Sequence, residues 1–365
     1  MEKKKICFIA QFPPPIHGLS KAVEILYQSE LQTLFDFEKI DISNNLNFIK
    51  NLKYIRESNA NLFYFTISQT RLGNLRDLII LNVLKMQHKK CVVHLHGGYY
   101  RQLVDHKLSK WQRQANYYAI SQLDGAVVLG PSLKKNFMGM LPVEKIYVVP
   151  NCIEEKYLIN DEQFEAKLSL INDGCIKHVL YLSNFIASKG YRQVLELAKI
   201  EKEMSLQNNK QTFHFDFAGD FFDVKEKKYF WNYINQNNLT EYVTYHGIVT
   251  GKQKQELLKK CEIFVLMTRY PKEGQPISIL EAMGNGMAVI TTDHAGIPDI
   301  IEDQKNGIVV SRETNMKVLY QKMHINSEKL KTIMRRNRKN CKENYNQKLY
   351  IKNIGKIFSG VANNE

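Results

Sequence analysis

Two carboxylates, Glu273 and Glu281, close the run Glu273-Gly-Gln-Pro-Ile-Ser-Ile-Leu-Glu281. Apolar stretches at 263–268 and 287–292 flank it, short and rich in branched residues, as in buried strands of a parallel sheet. Pro276 suits the first turn of a helix that 277–285 would continue. One carboxylate then lies in the loop at a helix N-terminus and the other on the helix. Open parallel sheets bind ligands outside the carboxyl ends of their strands, where this loop falls. The helical neighbours of Glu281 are Ile277, Ser278, Gly284 and Asn285, a mostly small or polar face that would let a ligand approach. A carboxylate buried there needs a hydrogen-bonding partner, and a ribose diol would serve. Spacing alone fits equally well a Glu273 that favours the helix dipole and a solvated Glu281.

Three other stretches place reactive or phosphate-binding groups at strand ends. In Pro13-Pro14-Pro15-Ile16-His17-Gly18-Leu19-Ser20, a turn followed by Ser20 at a helix N-cap would aim backbone N–H groups at a ligand. In His94-Leu95-His96-Gly97-Gly98, alternation puts both histidines on one face, with no further residue spaced to complete a metal site. The third, 181–190, runs from a strand into a helix and ends in Lys189-Gly190. Phe217-Ala218-Gly219-Asp220 and His246-Gly247-Ile248 read as further strand-end turns.

Glu273-x7-Glu281, with Gly274, Pro276, Ala282-Met283, Gly286 and Val289-Ile290, resembles the signature of glycosyltransferase family 4. Gly296-Ile297-Pro298-Asp299-Ile300-Ile301 and Asn306-Gly307 extend the match, and the earlier motifs fall in the family's order, so the resemblance covers nearly the whole chain. It implies an α/β chain of the GT-B fold, with two Rossmann-like, doubly wound parallel-sheet domains facing a cleft. It also implies a retaining, metal-independent hexosyltransferase without a cofactor, using a UDP- or GDP-linked sugar as co-substrate. The acceptor would be a glycan or lipid-linked sugar in bacterial surface polysaccharide biosynthesis. By the same resemblance His96 lies near the transferred sugar, Glu273 grips its hydroxyls, and Lys189 neutralises the leaving diphosphate. N–H groups of Gly274, Gln275 and Ile277, with Pro276 shaping the turn between them, and those of the Gly18 loop would face phosphate, Gly247 the base, and Glu281 the ribose. The chain departs from the pattern at Asn184, where the family has an arginine; Lys189 and helix N-termini suffice there, or Arg192 or Arg269 compensates. Only Gly18 stands where many members have two glycines. A GT-B epimerase or hydrolase, and a non-catalytic GT-B-like scaffold of a polysaccharide assembly complex, remain alternatives, the scaffold supported by Asn184.

The elements that must hold these residues follow from the alternation of strand-like and helix-like segments along 365 residues. Strands are expected at 6–10, 62–67, 91–96, 125–129 and 146–149, with helices at 20–35, 75–87 and 110–123. A polar linker is expected over 154–173, then strands at 178–182, 214–218, 243–246, 263–267, 287–291 and 308–310. This gives an acceptor-binding domain over 1–160, a nucleotide-sugar-binding domain over 161–345, and a terminal helix, 346–365, that by resemblance crosses back to the first domain. No apolar run approaches the ~18 residues of a membrane span. Six scattered cysteines indicate reduced thiols, a cytoplasmic setting and no zinc site. The net charge of +14 is concentrated between Lys317 and Lys356, with 12 Lys/Arg against two acids. That face is either solvated or a peripheral contact with an anionic membrane, and no nucleic-acid motif accompanies it. Aromatic residues among Lys107, Lys110 and Arg113 fit an interfacial helix or ordinary helix packing.

Overall fold

The computed structural model describes residues 3–14, 18–311 and 313–363. They form two compact units, each around its own parallel six-stranded sheet.

Unit one comprises the chain up to Cys152, Pro271–Gln275 and the helix Gln347–Asn363. Its strands are β1 (Lys4–Ala10), β2 (Phe35–Asp41), β3 (Leu62–Thr66), β4 (Cys91–Leu95), β5 (Gly125–Val128) and β6 (Ile146–Val148), in the order β2-β1-β3-β4-β5-β6. β3 to β5 are buried throughout, as strands covered on both faces must be. β2 was not expected, because 20–35 reads as one helix. The helix instead stops at Tyr27, a single turn follows, and the charged strand Phe-Asp-Phe-Glu-Lys-Ile-Asp pairs along β1 from Lys4↔Phe35 to Ala10↔Asp41. One face of the sheet is covered by Gln347–Asn363, whose Tyr350, Ile354 and Phe358 join the core of Phe8 and Tyr64.

Unit two comprises Ile153–Tyr270 and Pro276–Asn346. Its strands are β7 (Lys177–Leu182), β8 (Phe213–Ala218), β9 (Val243–Tyr245), β10 (Ile263–Leu266), β11 (Ala288–Thr292) and β12 (Gly307–Val310), in the order β12-β11-β10-β7-β8-β9. All six lie where apolar runs indicate. The expected linker is not one. Asn160 and Gln163 form a capping box that starts the helix Asp161–Leu170, and Phe164 and Leu168 pack against Leu330, Ile333 and Met334. The segment is polar because one face of this helix is solvated.

The basic run also has work inside this unit. Arg338 is buried and donates to the carbonyls of Gly284 and Ile159 and to Asp161, while Arg335 pairs with Glu165 and Arg336 bonds the Lys305 carbonyl. The densest part of that charge therefore pins helices together. Among the described residues, no helix is long and apolar enough to cross a membrane.

Candidate active site

In unit two the strand order reverses between β10 and β7, so the loops leaving these strands diverge and open a crevice at their carboxyl ends. Lys189 lies in the β7 loop, in the turn Ala187–Lys189. Gly190 follows at φ +84°, and a Cβ there would stand 2.4 Å from the Met267 carbonyl oxygen, so this position requires glycine. The loop is thereby pressed against the end of β10, where the Arg269 N–H donates to the Ser188 carbonyl at 2.6 Å and Lys189 Nζ lies 5.2 Å from the Tyr270 ring centre.

Asn184 is exposed, and its carbonyl accepts from the Tyr181 hydroxyl at 3.0 Å. Of the two arginines that could replace the missing family cation, Arg192 is held by Glu226 at 3.0 Å and lies over the Tyr229 ring. Arg269 is tied to the Lys189 loop through its backbone N–H. At the ends of β8 and β9, the Gly219 N–H donates to the Gly247 carbonyl at 2.8 Å.

Pro276 is the N-cap of the helix Ile277–Gly284 and provides no side-chain capping bond to its first-turn N–H groups. Glu281, on the same helix, is 5% exposed. The sequence suggests that its small, polar face leaves room for a ligand, but two of those positions are taken up by the protein itself. Gly284 is packed by Ile153, Leu158 and Cys341, and Asn285 bonds the Ile159 N–H and the Tyr157 carbonyl. The carboxylate has a partner that sequence reasoning missed, Lys254, whose Nζ is 2.6 Å from Oε1 and 4.3 Å from the Tyr157 ring centre. Oε2 has no hydrogen-bond partner among the described residues. Burial raises the Glu281 carboxyl above its ordinary range, and Lys254 opposes the shift.

A second missed cluster braces the Gly247 turn. Asp216 on β8 accepts from His178 and His246, each at 2.7 Å, with Lys260 at 3.3 Å. Burial works against the charged form, but the two histidine hydrogen bonds and Lys260 hold the carboxyl well below its usual range.

Glu273, Gly274 and Gln275 belong to unit one, which the sequence does not indicate. A Cβ on Gly274 would lie 2.7 Å from the His96 carbonyl oxygen and 2.8 Å from Gly97 Cα, so only glycine lets this segment lie against the end of β4. The Gln275 side chain is committed to scaffold: Oε1 accepts from the Asn151 N–H at 2.7 Å and Nε2 donates to the Leu129 carbonyl at 3.2 Å. Glu273 is buried beside it in sequence. His96 is half-buried, its ring centre 3.9 Å from that of His94. His94 is fully buried with Nδ1 2.5 Å from the Tyr64 hydroxyl, and burial, with His96 adjacent, keeps it neutral far below the ordinary histidine range. Gly18 begins the helix Gly18–Tyr27; Pro15, Ile16 and His17 lie outside the described residues. Unit one thus groups His96, Glu273, Gly274 and Gln275, and unit two groups Asn184, Lys189, Gly247, Pro276, Ile277 and Glu281. No three His, Cys, Asp or Glu side chains among the described residues converge as a metal site.

Residues 169–346 match the family described as glycosyl transferases group 1. Over 111 residues the chain is 31% identical to the N,N'-diacetylbacillosaminyl-diphospho-undecaprenol alpha-1,3-N-acetylgalactosaminyltransferase of Campylobacter jejuni, covering 30% of this chain and 29% of that protein. The first curated relatives are matched over about a third of their own length. Among solved structures, Anabaena Alr3699/HepE in complex with UDP and glucose superposes with a TM-score of 0.73 at 14% identity, covering 98% of this chain and 100% of that one. The lipopolysaccharide outer core galactosyltransferase WaaB in its apo form gives a TM-score of 0.66 at 16% identity, covering 98% and 99%. At such identities the likeness is one of fold, and the fold is GT-B, with two Rossmann-like units. The part of the chain that resembles the group 1 glycosyltransferases is residues 169–346, most of unit two.

Proposed function

We propose that the protein is a retaining glycosyltransferase that moves a sugar from a nucleotide-diphosphate donor to a glycan or lipid-linked sugar in surface polysaccharide biosynthesis. The observation that carries this reading is the β7/β10 crevice of unit two. Lys189 and Arg269 lie in the loops that leave β7 and β10, joined through the Arg269–Ser188 backbone bond, and the helix Ile277–Gly284 has an uncapped N-terminus and a buried carboxylate farther along. Two cations beside backbone N–H groups suit a diphosphate, and this arrangement stabilises negative charge that grows as the leaving group departs. Arg269, whose backbone is tied to the Lys189 loop, is the residue we assign to replace the cation absent at Asn184.

Glu281 Oε2 would accept from a ribose hydroxyl, while Lys254 holds Oε1 and opposes the upward shift that burial imposes on the carboxyl. The Gly247 turn would meet the base through its backbone. The roles of Glu273 and His96 toward the transferred sugar rest on the family resemblance. In the reaction, the bond between the anomeric carbon and the diphosphate oxygen breaks while the acceptor oxygen bonds to that carbon on the same face. The acceptor proton passes to the leaving phosphate oxygen. Lys189 and Arg269 supply the charge neutralisation that a divalent ion would otherwise give. UDP is the first nucleotide to test, since HepE was solved with it. The setting would be the inner face of the membrane, where lipid-linked acceptors are built.

Calorimetric titration with UDP, GDP, ADP and CMP, in the wild type and in Glu281→Ala, tests the reading. One diphosphate should bind selectively and lose at least tenfold affinity in the variant. Absence of binding by all four would overturn the donor site.

A further inference from the structure

The strand order of unit one also reverses, between β1 and β3, and a cavity of about 580 Å³ opens at the carboxyl ends of β1, β2 and β3. This size suits a small-molecule site. Its wall carries Gln11, Ser43, Thr66, Ser68 and Gln69, with two cations, Arg76 and Lys272. Arg76 is already engaged: Nε and Nη2 donate to Asp77 and Nη1 to the Ile42 carbonyl, while the other Asp77 oxygen accepts the Ser68 N–H at 2.6 Å. Lys272 is half-buried and makes no ion pair or side-chain hydrogen bond among the described residues. The hydroxyl oxygens of Ser43 and Thr66 are buried and likewise have no hydrogen-bond partner among the described residues. A cavity lined by unmatched hydroxyls and one uncommitted ammonium group is built for a polar, negatively charged occupant.

Its wall continues into the candidate active site of the same unit. Gln69 Oε1 accepts the Tyr99 N–H at 2.7 Å, and a Cβ on Gly97 would lie 1.9 Å from Gln69 Nε2. Gly97 in turn abuts Gly274, two residues beyond Lys272.

We propose that this cavity is the acceptor subsite, that it takes an acceptor bearing an anionic group near the sugar to be extended, and that Lys272 selects for that charge. The proposal rests on the transferase reading above. A uronate carboxylate within a glycan and the phosphate of a lipid carrier share this chemistry.

The test uses the full chain with saturating UDP, so that the diphosphate site is filled. Methyl glucuronide, methyl glucoside and inorganic pyrophosphate are titrated by ligand-observed NMR. At least one anion should bind tenfold or more tightly than the neutral glucoside. Lys272→Met should weaken that anion by ~10- to 100-fold, the range for losing a charge-assisted hydrogen bond, and Lys272→Arg should retain most of the affinity. Preference for the glucuronide assigns an acidic sugar, and preference for pyrophosphate assigns a carrier phosphate. Anions that bind no better than methyl glucoside, or that bind Lys272→Met as they bind the wild type, overturn the proposal. UDP affinity, titrated by calorimetry in the same wild-type and variant proteins, reports separately on the donor site, so the two failures are distinguishable.

Discussion

Replacing Lys254 by methionine removes the ammonium group from Glu281 while keeping an apolar stem against Tyr157. Lys254 and Glu281 are 16% and 6% exposed at their side chains and 2.6 Å apart, so little water would reach the stranded carboxylate. Removing one member of a buried pair costs ~3–5 kcal/mol. The partial exposure of Lys254 puts the expectation near the lower end, about 3 kcal/mol, or a Tm decrease of roughly 6–12 °C for a unit of this size. The loss should depend on pH with a definite sign. Burial already raises the Glu281 carboxyl in the folded chain, and loss of Lys254 raises it further. A carboxyl whose folded pKa exceeds its unfolded value contributes its stability below the unfolded pKa. That stability is lost as pH rises from the ordinary carboxylate range toward the folded value. Lys254→Met should therefore be much closer to wild type at pH 5 than at pH 8. Adding Glu281→Gln should restore more than half of the loss at pH 8, because a neutral amide needs no counter-charge. Urea unfolding followed by circular dichroism measures all three proteins at both pH values. If Lys254→Met at pH 8 lies within 1 kcal/mol of wild type, or the double variant is no more stable than the single one, the pair is not the buried unit described.

Gly190→Ala should destabilise unit two by at least ~2 kcal/mol, combining the left-handed penalty for an L-residue with the approach of its Cβ to the Met267 carbonyl. UDP affinity should fall although Lys189 is untouched, and calorimetry with wild-type affinity would show that the loop position does not matter. Asp216→Asn should cost ~1.5–3 kcal/mol at neutral pH by weakening the bonds from His178 and His246. Since the folded Asp216 carboxyl lies below its unfolded value, that stability is present above the unfolded pKa and is lost as pH falls through the folded one, so the gap in urea midpoint between variant and wild type should narrow in acid.

The parts of the fold legible in the sequence are those where composition and burial agree. Runs such as Ile263–Leu266 and Ala288–Thr292 are apolar because both faces are covered, and they announce their strands. β2 escaped notice since an edge strand needs no such run; its pairing with β1 comes from backbone bonds that charged side chains tolerate. The helix Asp161–Leu170 was hidden for a similar reason, with few buried residues among ten. At the site, the positions of Lys189, Gly247 and Glu281 followed from strand-end loops and motif spacing. Their partners did not. Lys254 comes from a helix 27 residues away whose sequence reads as solvated, and Asp216 meets His178 and His246 only through strand order. The expectation for Gln275 concerned its backbone N–H; that its side chain braces Asn151 and Leu129 could not be read, because an amide in a loop gives no sign of whether it serves a ligand or the neighbouring backbone.

The helix Gln347–Asn363 covers a sheet whose first strand begins at Lys4, with the Tyr350 hydroxyl reaching the Ala22 carbonyl across 328 positions and Phe358 meeting Phe8 edge-on. During synthesis, unit one therefore leaves the ribosome first yet stays open on that face until the whole of unit two has been made. The order of completion is the reverse of the order of emergence: residues 153–346 can close on themselves while the earlier half still shows Ile6, Phe8 and Tyr64 to solvent. Such a delay favours capture by chaperones, and it means that synthesis halted just before Gln347 would leave unit one, not unit two, unfinished.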